Sequence, residues 1–398
     1  MSKKYKIGDE IEVTIEKIVP NGLGLSFAEN LTVFVPLSVK GDQLRVEIRQ
    51  IKGKTAFAKI IDVIESSADR ITPKCEYFGT CGGCDFQQMN YEAQLDAKIG
   101  IIKDSLSRIG KIKYEAEIPI VASPEKFGYR LRAQWHADTR QKKLGYFKRQ
   151  SHEVVVTETC PILDPPLEKT LQDLQENLEW ETFFAEEINI EAASGENEEV
   201  SVYSEELIVP TNEIFLDAAG EKLIFNAKSF FQGNKYLINK LVNTATENAG
   251  GIKALDLYSG VGLFTLTLSK KFEKVIAVEA NADAVKIAKK NADWANAENI
   301  EFHSTRIQHL LKDEDADLSG TDFVLLDPPR SGVKRQTLEK IAQFEAEKMC
   351  YVSCNPSTLA RDVAVLLENG YKISEIKAID LFPQTHHVET IVHLNYAG

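Results

Sequence analysis

Cys354 has the sequence context of a reactive thiol. It follows an apolar run that predicts a strand over 350–353, and it precedes Asn355 and Pro356, which are typical of the cap and the first position of a helix. At such a position the helix dipole and the free backbone amides favour the thiolate. We therefore expect Cys354 to act as a covalent nucleophile, whereas Cys350, inside the strand, is expected to be a buried apolar side chain.

Three side chains that can accept a proton lie close together near the end of the chain: His386, His387 and Glu389. Covalent catalysis by Cys354 would need such a base, which removes a proton from the substrate before the thiolate is expelled. Glu389 is the natural candidate, and the two histidines are its competitors. Sequence spacing alone does not choose among the three.

A glycine-containing turn follows the predicted strand 254–257. It reads Asp256-Leu-Tyr-Ser-Gly260-Val-Gly262-Leu-Phe264, and Glu279 ends the next strand 23 residues after Asp256. Glycines let backbone amides approach a nucleotide, and an acidic residue at that distance binds ribose hydroxyls. Thr265 replaces the third glycine of a dinucleotide fingerprint, and Asp256 suits a cationic amino acid better than a phosphate. The pattern favours S-adenosylmethionine, which has no phosphate, over a nicotinamide dinucleotide.

Four of the six cysteines are candidate ligands of an inorganic group: Cys75, Cys81, Cys84 and Cys160. Structural zinc is usually bound by two C-x-x-C pairs, and only one such pair is present among these cysteines. Three clustered ligands and a remote cysteine followed by Pro161 are typical of a [4Fe–4S] cluster. We therefore predict a [4Fe–4S] cluster, with zinc as the first alternative and free thiols as the second.

The charge distribution indicates where RNA could bind. The formal net charge is −13, and residues 176–222 alone hold fourteen acidic side chains and one basic. Residues 126–149 instead combine eight cations with five aromatic residues, which suit phosphates and unstacked bases. We expect RNA to bind this basic segment and the acidic segment to face away, the alternative being a solvated hairpin with core aromatics. The basic segment contains Lys126, Arg130, Arg132, Arg140, Lys142, Lys143, Lys148 and Arg149, and the aromatics Phe127, Tyr129, Trp135, Tyr146 and Phe147.

The composition is that of a globular protein, with 43% hydrophobic and 27% charged residues. No apolar run approaches the roughly 18 residues that a membrane span needs. The first residues, MSKKYKIGDE, lack the apolar stretch of a secretory signal. We therefore expect a cytoplasmic protein without a membrane partner, and a monomer by default.

The elements that must position these residues fall into three predicted domains. Residues 1–65 alternate apolar and polar side chains between turns, which predicts a small β-barrel of the OB type that binds RNA, the alternative being a structural barrel without a ligand. Residues 66–225 predict an α+β middle domain that carries the four cysteines, with a helix over 94–110 that could pack on the catalytic domain. Residues 226–398 alternate strands and helices, which predicts a parallel, doubly wound α/β sheet.

Four motifs, in this order, resemble those of a known family: DLYSGVGLF, LLDPPRSG, SCNPSTLARD and LFPQTHHVETIVHL. They are similar to the motifs of RNA uracil-C5 methyltransferases, and the resemblance spans residues 226–398. The stretch VFVPLSVKGDQLRVEI resembles the core of a TRAM domain, an order seen in the ribosomal RNA branch of that family. The resemblance implies a Rossmann-like class I methyltransferase that forms 5-methyluridine, with 23S rRNA as the expected substrate and transfer RNA as the alternative.

The resemblance also implies residue roles. Cys354 would add to carbon 6 of a flipped uridine, and Glu389 would remove the proton from carbon 5. The spacing of the four cysteines matches the iron–sulfur cluster of the same branch. Ser259 stands where many members have Cys, and Leu263 where many have Asn, which removes one polar cofactor contact. S-adenosylmethionine binding is assigned to Gln232, Tyr258, Glu279 and Asp327.

Two other functions fit parts of the pattern. An amino-group methyltransferase also uses a D/N-P-P turn, but an aromatic residue normally follows that turn, where this chain has Arg330. Such an enzyme also needs no cysteine nucleophile. A non-catalytic RNA-binding or iron–sulfur scaffold would be expected to lose Cys354 or Glu389, and both are present.

Overall fold

The computed structural model describes residues 5–207, 211–313 and 316–398, whose strands form four sheets. Within these ranges no helix combines the length and the apolar character that crossing a bilayer requires.

The first sheet contains six strands in the order β1-β5-β6-β4-β3-β2. Alternate side chains point inward, as in β5, where Leu44, Val46 and Ile48 are fully buried. A tight turn at Pro20–Gly22 connects β2 to β3, and Asn21 has a φ of 68° there. The strands are β1 (Glu10–Thr14), β2 (Lys17–Val19), β3 (Leu23–Ala28), β4 (Leu31–Pro36), β5 (Gln43–Lys52) and β6 (Thr55–Glu65).

Helix α1 (Tyr91–Arg108) lies between this first sheet and the C-terminal part of the chain. The Asn90 side chain caps it by accepting a hydrogen bond from the Ala93 amide at 2.9 Å. Ile101 packs into the core of the first sheet, whereas Ile102 belongs to a core of the C-terminal sheet. The helix therefore has apolar residues on two faces, which explains the strong apolar periodicity of its sequence.

The middle sheet contains five strands in the order β10-β9-β8-β11-β12. Helix α2 covers one face, and a separate hairpin, β13–β14, follows. The elements are β8 (Arg132–Asp138), β9 (Lys143–Phe147), β10 (Val154–Val155), α2 (Pro165–Asn177), β11 (Glu187–Ser194), β12 (Val200–Tyr203), β13 (Ile214–Ala218) and β14 (Glu221–Phe225), after the short strand β7 (Ile120–Val121).

For two of the five aromatics in the basic segment, the structure corrects the expectation that they stack on bases. Tyr129 and Trp135 are completely buried, so they belong to the core. The acidic segment also lies beside the basic one, because β11 pairs with β8. Glu181 pairs with Lys142 at 2.6 Å, which leaves that lysine less available for phosphate.

The C-terminal sheet contains eight strands in the order β17-β16-β15-β18-β19-β21-β20-β7. The five strands from β17 to β19 are parallel, and β21 is antiparallel to both of its neighbours. The predicted α/β fold is thereby confirmed, and β7 joins this sheet from the stretch predicted as the middle domain. The elements are α3 (Ile238–Ala245), β15 (Gly251–Leu257), α4 (Leu263–Ser269), β16 (Phe272–Glu279), α5 (Ala282–Trp294), β17 (Ile300–Ser304), α6 (Ile307–Leu310), β18 (Phe323–Leu326), α7 (Arg335–Ala342), β19 (Lys348–Ser353), α8 (Pro356–Glu368), β20 (Tyr371–Ile379) and β21 (Glu389–Tyr396).

A buried ion pair joins α1 to the end of β20. The Lys98 ammonium and the Asp380 carboxylate are both fully buried, and Lys98 also donates to the Phe382 carbonyl at 3.0 Å. Tyr91 donates to the second Asp380 oxygen at 2.8 Å. Because an unpaired buried charge is costly, this arrangement fixes the position of the chain that leaves β20 toward Glu389.

Candidate active site

The register of the C-terminal sheet brings four predicted functional residues to one edge. Asp256 lies near the end of β15, and Asp327 and Cys354 directly follow β18 and β19. The carboxyl ends of these parallel strands meet at the same edge. Glu389 joins them because it begins β21, whose antiparallel direction brings its first residue to that edge.

The pairing of β19 with β21 places the predicted nucleophile and base side by side. Ser353 lies opposite Thr390, so one step further along the two strands Cys354 comes opposite Glu389. Burial and the adjacent Glu389 raise the pKa of Cys354 to about 12. This differs from the expected thiolate at a helix N-terminus, because burial outweighs the effect of the helix end.

Arg330 is the cation next to both groups. Burial and the neighbouring Asp327 hold the pKa of Glu389 well above its usual range, and Arg330 lowers it. Arg330 also lowers the pKa of Cys354, through its charge and a hydrogen bond. Its carbonyl accepts hydrogen bonds from Asn355 and from Thr358, each at 3.1 Å, so the start of α8 fixes its backbone. Arg330 is therefore the described group that favours ionisation at both positions.

The glycine turn after β15 is held by Glu279. One carboxylate oxygen of Glu279 accepts from the Gly260 amide at 3.1 Å, and the other accepts from the Asn281 amide at 2.7 Å. Tyr258 has a φ of 69° and donates its amide to Val278 at 2.9 Å. The predicted cofactor residues Tyr258 and Glu279 therefore lie together at the ends of β15 and β16.

Asp256 and Asp327 are buried neighbours without a paired cation among the described residues. Burial raises the pKa of Asp256 to about 7; the Thr265 hydroxyl lowers this pKa, and the charge of Glu279 raises it. Asp256 Oδ2 accepts the Thr265 hydroxyl at 2.5 Å, whereas the buried Oδ1 has no partner. Burial and the charge of Asp256 also raise the pKa of Asp327. Such a set of carboxyls fits a ligand that carries positive charge.

Gln232 lies in the loop between β14 and α3. It is buried, and its neighbour Gly233 faces the ring of Phe382 in the loop that leads to Glu389. Leu263, where the resemblance implies loss of a polar contact, is a buried core residue at the start of α4.

Cys354 opens into a cavity of about 390 Å³ of empty space, including the part open to solvent. We call it the Cys354 cavity. Its walls come from three separate parts of the chain: the turn at residues 20–22, helix α1, and the loops and the start of α8 at the edge of the C-terminal sheet. Besides Cys354, the lining includes Pro20, Asn21, Ile101, Arg330, His386 and His387. The contribution of the first sheet was not predicted from sequence.

The loop 382–388 positions two histidines at this cavity. Burial and the neighbouring His386 lower the pKa of His387 to about 2, so His387 is neutral and a very weak base. His386 instead hydrogen-bonds through Nδ1 to Asp85 Oδ2 at 2.7 Å. Asp85 directly follows Cys84, and no sequence pattern indicated this contact across 301 residues.

The four predicted ligand cysteines line one cavity near the middle sheet. It has about 460 Å³ of empty space, including the part open to solvent, and we call it the cysteine cavity. Arg130 and Tyr146 also line it, and the Gly83 amide donates to Cys81 Sγ at 3.4 Å. Within the described ranges, no three His, Cys, Asp or Glu side chains surround a point closely enough to bind a single metal ion.

Comparison with known sequences identifies similar proteins along the whole chain. A profile of the tRNA (uracil-5-)-methyltransferase family matches residues 211–397. The chain is 31% identical to an RNA methyltransferase of Thermosynechococcus vestitus, with 98% of this chain and 99% of the relative covered. It is 30% identical to the 23S rRNA (uracil(1939)-C(5))-methyltransferase RlmD of Photorhabdus laumondii, with 96% and 95% covered.

A solved structure is also similar along nearly the whole chain. The tRNA (uracil-54, C5)-methyltransferase of Pyrococcus abyssi, in complex with S-adenosyl-L-homocysteine, superposes with a TM-score of 0.75. The sequences are 26% identical, and the match covers 96% of this chain and all of that chain. The similarity therefore includes the two N-terminal sheets as well as the C-terminal sheet.

The raised pKa of Asp256 makes binding of a cationic ligand depend on pH. A nearby positive charge favours the carboxylate, so binding lowers a pKa that is about 7 in the ligand-free site and releases a proton at lower pH. The affinity for S-adenosylmethionine should therefore rise between about pH 5.5 and 7, below the pKa of the ligand's own amino group. Calorimetry in two buffers of different protonation enthalpy measures the released proton.

The Asp256→Asn protein is the control for this measurement. It should release fewer protons and show a shallower pH dependence, because the raised pKa of Asp327 remains. Equal proton release by both proteins would show that Asp256 does not carry the effect.

Proposed function

Because this chain belongs to the RNA uracil-5 methyltransferase family, we propose that it methylates carbon 5 of a uridine in 23S ribosomal RNA through a covalent bond between Cys354 and the base. The observation that carries this proposal is the register of β19 and β21, which brings Cys354 and Glu389 together beside a set of buried carboxyls. The S-adenosyl-L-homocysteine complex of the similar archaeal enzyme supports S-adenosylmethionine as the cofactor.

Cys354 is the proposed nucleophile because carbon 5 of uracil reacts poorly without activation. The thiolate adds to carbon 6, and the electron pair of the ring double bond moves toward the carbonyl at carbon 4, which makes carbon 5 nucleophilic. The high pKa of Cys354 means that its thiol must lose a proton first. Arg330 favours that loss, and so does any ligand charge that offsets Asp327.

Glu389 is the proposed base. After carbon 5 has been methylated, the carboxylate accepts the proton from carbon 5, the sulfur–carbon 6 bond breaks, and the ring double bond returns. The position of Glu389 opposite Cys354 supports this role. The pKa of His387, about 2, argues against that histidine, and the contact with Asp85 engages one nitrogen of His386.

The proposed cofactor residues surround the glycine turn. Asp256 and Asp327 would face the positively charged part of S-adenosylmethionine, and the unpaired Asp256 Oδ1 supports this fit. Glu279 can still accept ribose hydroxyls, because each of its oxygens has a second lone pair. Tyr258 and Gln232 would complete the site. When bound, the cofactor supplies an activated methyl group.

The RNA substrate is the part of the proposal with two candidates. The 30% identity to RlmD over nearly its full length supports 23S rRNA. The archaeal tRNA enzyme also matches 96% of this chain, so the presence of the N-terminal sheets does not separate the two substrates. We retain 23S rRNA as the first candidate and transfer RNA as the second, and a TRAM-like RNA-binding role for residues 1–65 fits both.

We also propose that Cys75, Cys81, Cys84 and Cys160 hold a [4Fe–4S] cluster. Four thiols around one cavity are the ligand set of such a cluster, and the Gly83 amide bonds one of the sulfurs. Arg130 lines the same cavity and would balance the negative charge of the thiolates. The cysteines lie outside the lining of the Cys354 cavity, so the cluster is given a structural role.

Removing the two reactive groups should have different consequences. Cys354→Ala should lower the methylation rate on the order of 10⁴-fold or more, because the nucleophile is lost. Glu389→Gln should lower the rate about 10²- to 10⁴-fold, because the proton on carbon 5 is no longer removed. A methylated protein–RNA adduct should then accumulate, because the uracil cannot be released from Cys354. Denaturing gels with labelled RNA and S-adenosylmethionine measure both effects.

Cys350→Ala is the matched control, since Cys350 lies in β19 four residues before Cys354. It should retain activity. If Glu389→Gln turned over at the wild-type rate, Glu389 would not be the base.

The choice between the two RNA substrates can be measured in cells. A strain that lacks the gene should lose 5-methyluridine from 23S rRNA and retain it in transfer RNA, as mapped by mass spectrometry of purified RNA. Loss from transfer RNA alone would select the second candidate.

The cluster proposal predicts a brown protein after anaerobic purification, with about four iron and four sulfide per chain. Cys160→Ser should lower the iron content, because one of the four ligands is exchanged. Cys350→Ser is the control outside the cysteine cavity. A colourless protein with stoichiometric zinc would contradict the proposal.

A further inference from the structure

His386 lines the cavity into which Cys354 opens. Its side chain retains 22% exposure, and its ring lies 4.1 Å from the ring of His387. The turn at residues 20–22 packs behind it: a Cβ built on Gly22 would lie 3.0 Å from His386 Cβ and 3.4 Å from Cγ. Because Nε2 is on the far side of the ring from Cγ, it points away from this turn.

Asp85 fixes the orientation of His386 through two contacts. The His386 amide donates to Asp85 Oδ1 at 2.7 Å, and Nδ1 lies 2.7 Å from Asp85 Oδ2. The backbone amides of Asp85 and Phe86 both donate to the Gln384 carbonyl, at 3.1 and 3.0 Å. The loop around the histidine is therefore held from both sides, and the ring has little freedom to rotate.

This contact decides which nitrogen carries the proton. A carboxylate only accepts hydrogen bonds, so Nδ1 must be the donor. A ring that carries its single proton on Nδ1 presents a lone pair at Nε2. Within residues 5–207, 211–313 and 316–398, Nε2 has no hydrogen-bonding partner. His386 thus brings a fixed acceptor to the cavity that Cys354 also lines.

We infer that Nε2 of His386 accepts a hydrogen bond from the N3–H group of the target uracil, and that Asp85 is the residue that positions His386. Uracil carries a hydrogen on N3, and cytosine presents a lone pair there, so an acceptor at Nε2 favours uracil and repels cytosine. This inference rests on the proposed function, because it assumes that the target base enters the Cys354 cavity.

A purely structural role for His386 is the competing explanation, since the Asp85 contact also ties two loops together. Two amide variants separate the explanations. Asn places its amide group near the position of Nδ1, and Gln places it near the position of Nε2. His386→Asn can therefore retain the contact with Asp85, whereas His386→Gln can retain the contact with the base.

The experiment measures the rate of covalent capture. In natural RNA the adduct is released when the proton on carbon 5 is removed. Fluorine at carbon 5 cannot be removed in this way, so the adduct persists once the sulfur–carbon 6 bond has formed. The probes are transcripts of 23S rRNA and of transfer RNA made with 5-fluorouridine, in the presence of S-adenosylmethionine. The inference expects His386→Asn to capture RNA about 10- to 100-fold more slowly, the effect of one lost hydrogen bond in a binding site, and His386→Gln to stay near the wild-type rate.

Asp85→Asn provides a second variant, which tests the proton position. Its amide would donate to Nδ1 and move the histidine proton to Nε2, so the preference for 5-fluorouridine over 5-fluorocytidine transcripts should narrow by a factor of about 10 or more. The melting temperatures of His386→Asn and Asp85→Asn should both be close to that of the wild-type protein.

The outcomes distinguish the inference from the proposed function. If the wild type captures neither transcript, the proposed function fails. If the wild type captures RNA and His386→Asn does so equally fast, or if His386→Gln is as slow as His386→Asn, only the inference is overturned. An unchanged base preference in Asp85→Asn would also overturn it.

Discussion

The antiparallel pairing of β21 with β19 decides where the reactive side chains meet. Cys354 and Glu389 are separated by helix α8 and strand β20, yet the register that sets Ser353 opposite Thr390 brings them together. A slip of β21 by one residue against β19 would turn Glu389 to the opposite face of the sheet, away from Cys354, so the packing of the β21 core residues also fixes the position of the proposed base. The buried Lys98–Asp380 pair secures the same region from the side of α1.

The second constraint is the set of buried carboxyls beside this pair. Burial raises the pKa values of Asp256, Asp327 and Glu389, and a negative neighbour raises each one further: Glu279 for Asp256, Asp256 for Asp327, and Asp327 for Glu389. A site with this charge is less favourable empty than with a cation bound. Burial and the charges of Glu389 and Asp327 also favour the protonated thiol of Cys354, which limits reactions of the sulfur with other electrophiles.

Sequence patterns predicted the parts of this structure that depend on local signals. The strands predicted over 254–257 and 350–353 follow directly from apolar runs, the helix after Cys354 follows from the cap Asn355 and from Pro356, and the motifs placed the reactive residues at strand ends. The fully buried Lys98 could not be predicted, because a lysine in an amphipathic helix is typical of a surface. Trp135 was misassigned to RNA for the related reason that periodicity does not separate a core aromatic from a binding one. Contacts such as Asp85 with His386 have no local signal at all, since tertiary packing alone brings them together.

The central claim is that the sulfur of Cys354 bonds to carbon 6 of the target uridine. Its most direct test is peptide mapping by mass spectrometry after incubation with 5-fluorouridine RNA and S-adenosylmethionine, followed by digestion of the RNA and the protein. The account predicts a nucleotide-sized mass increase, plus one methyl group, on the peptide that contains Cys354. A protein that methylates natural RNA but carries the adduct on another residue, or forms none, would contradict it.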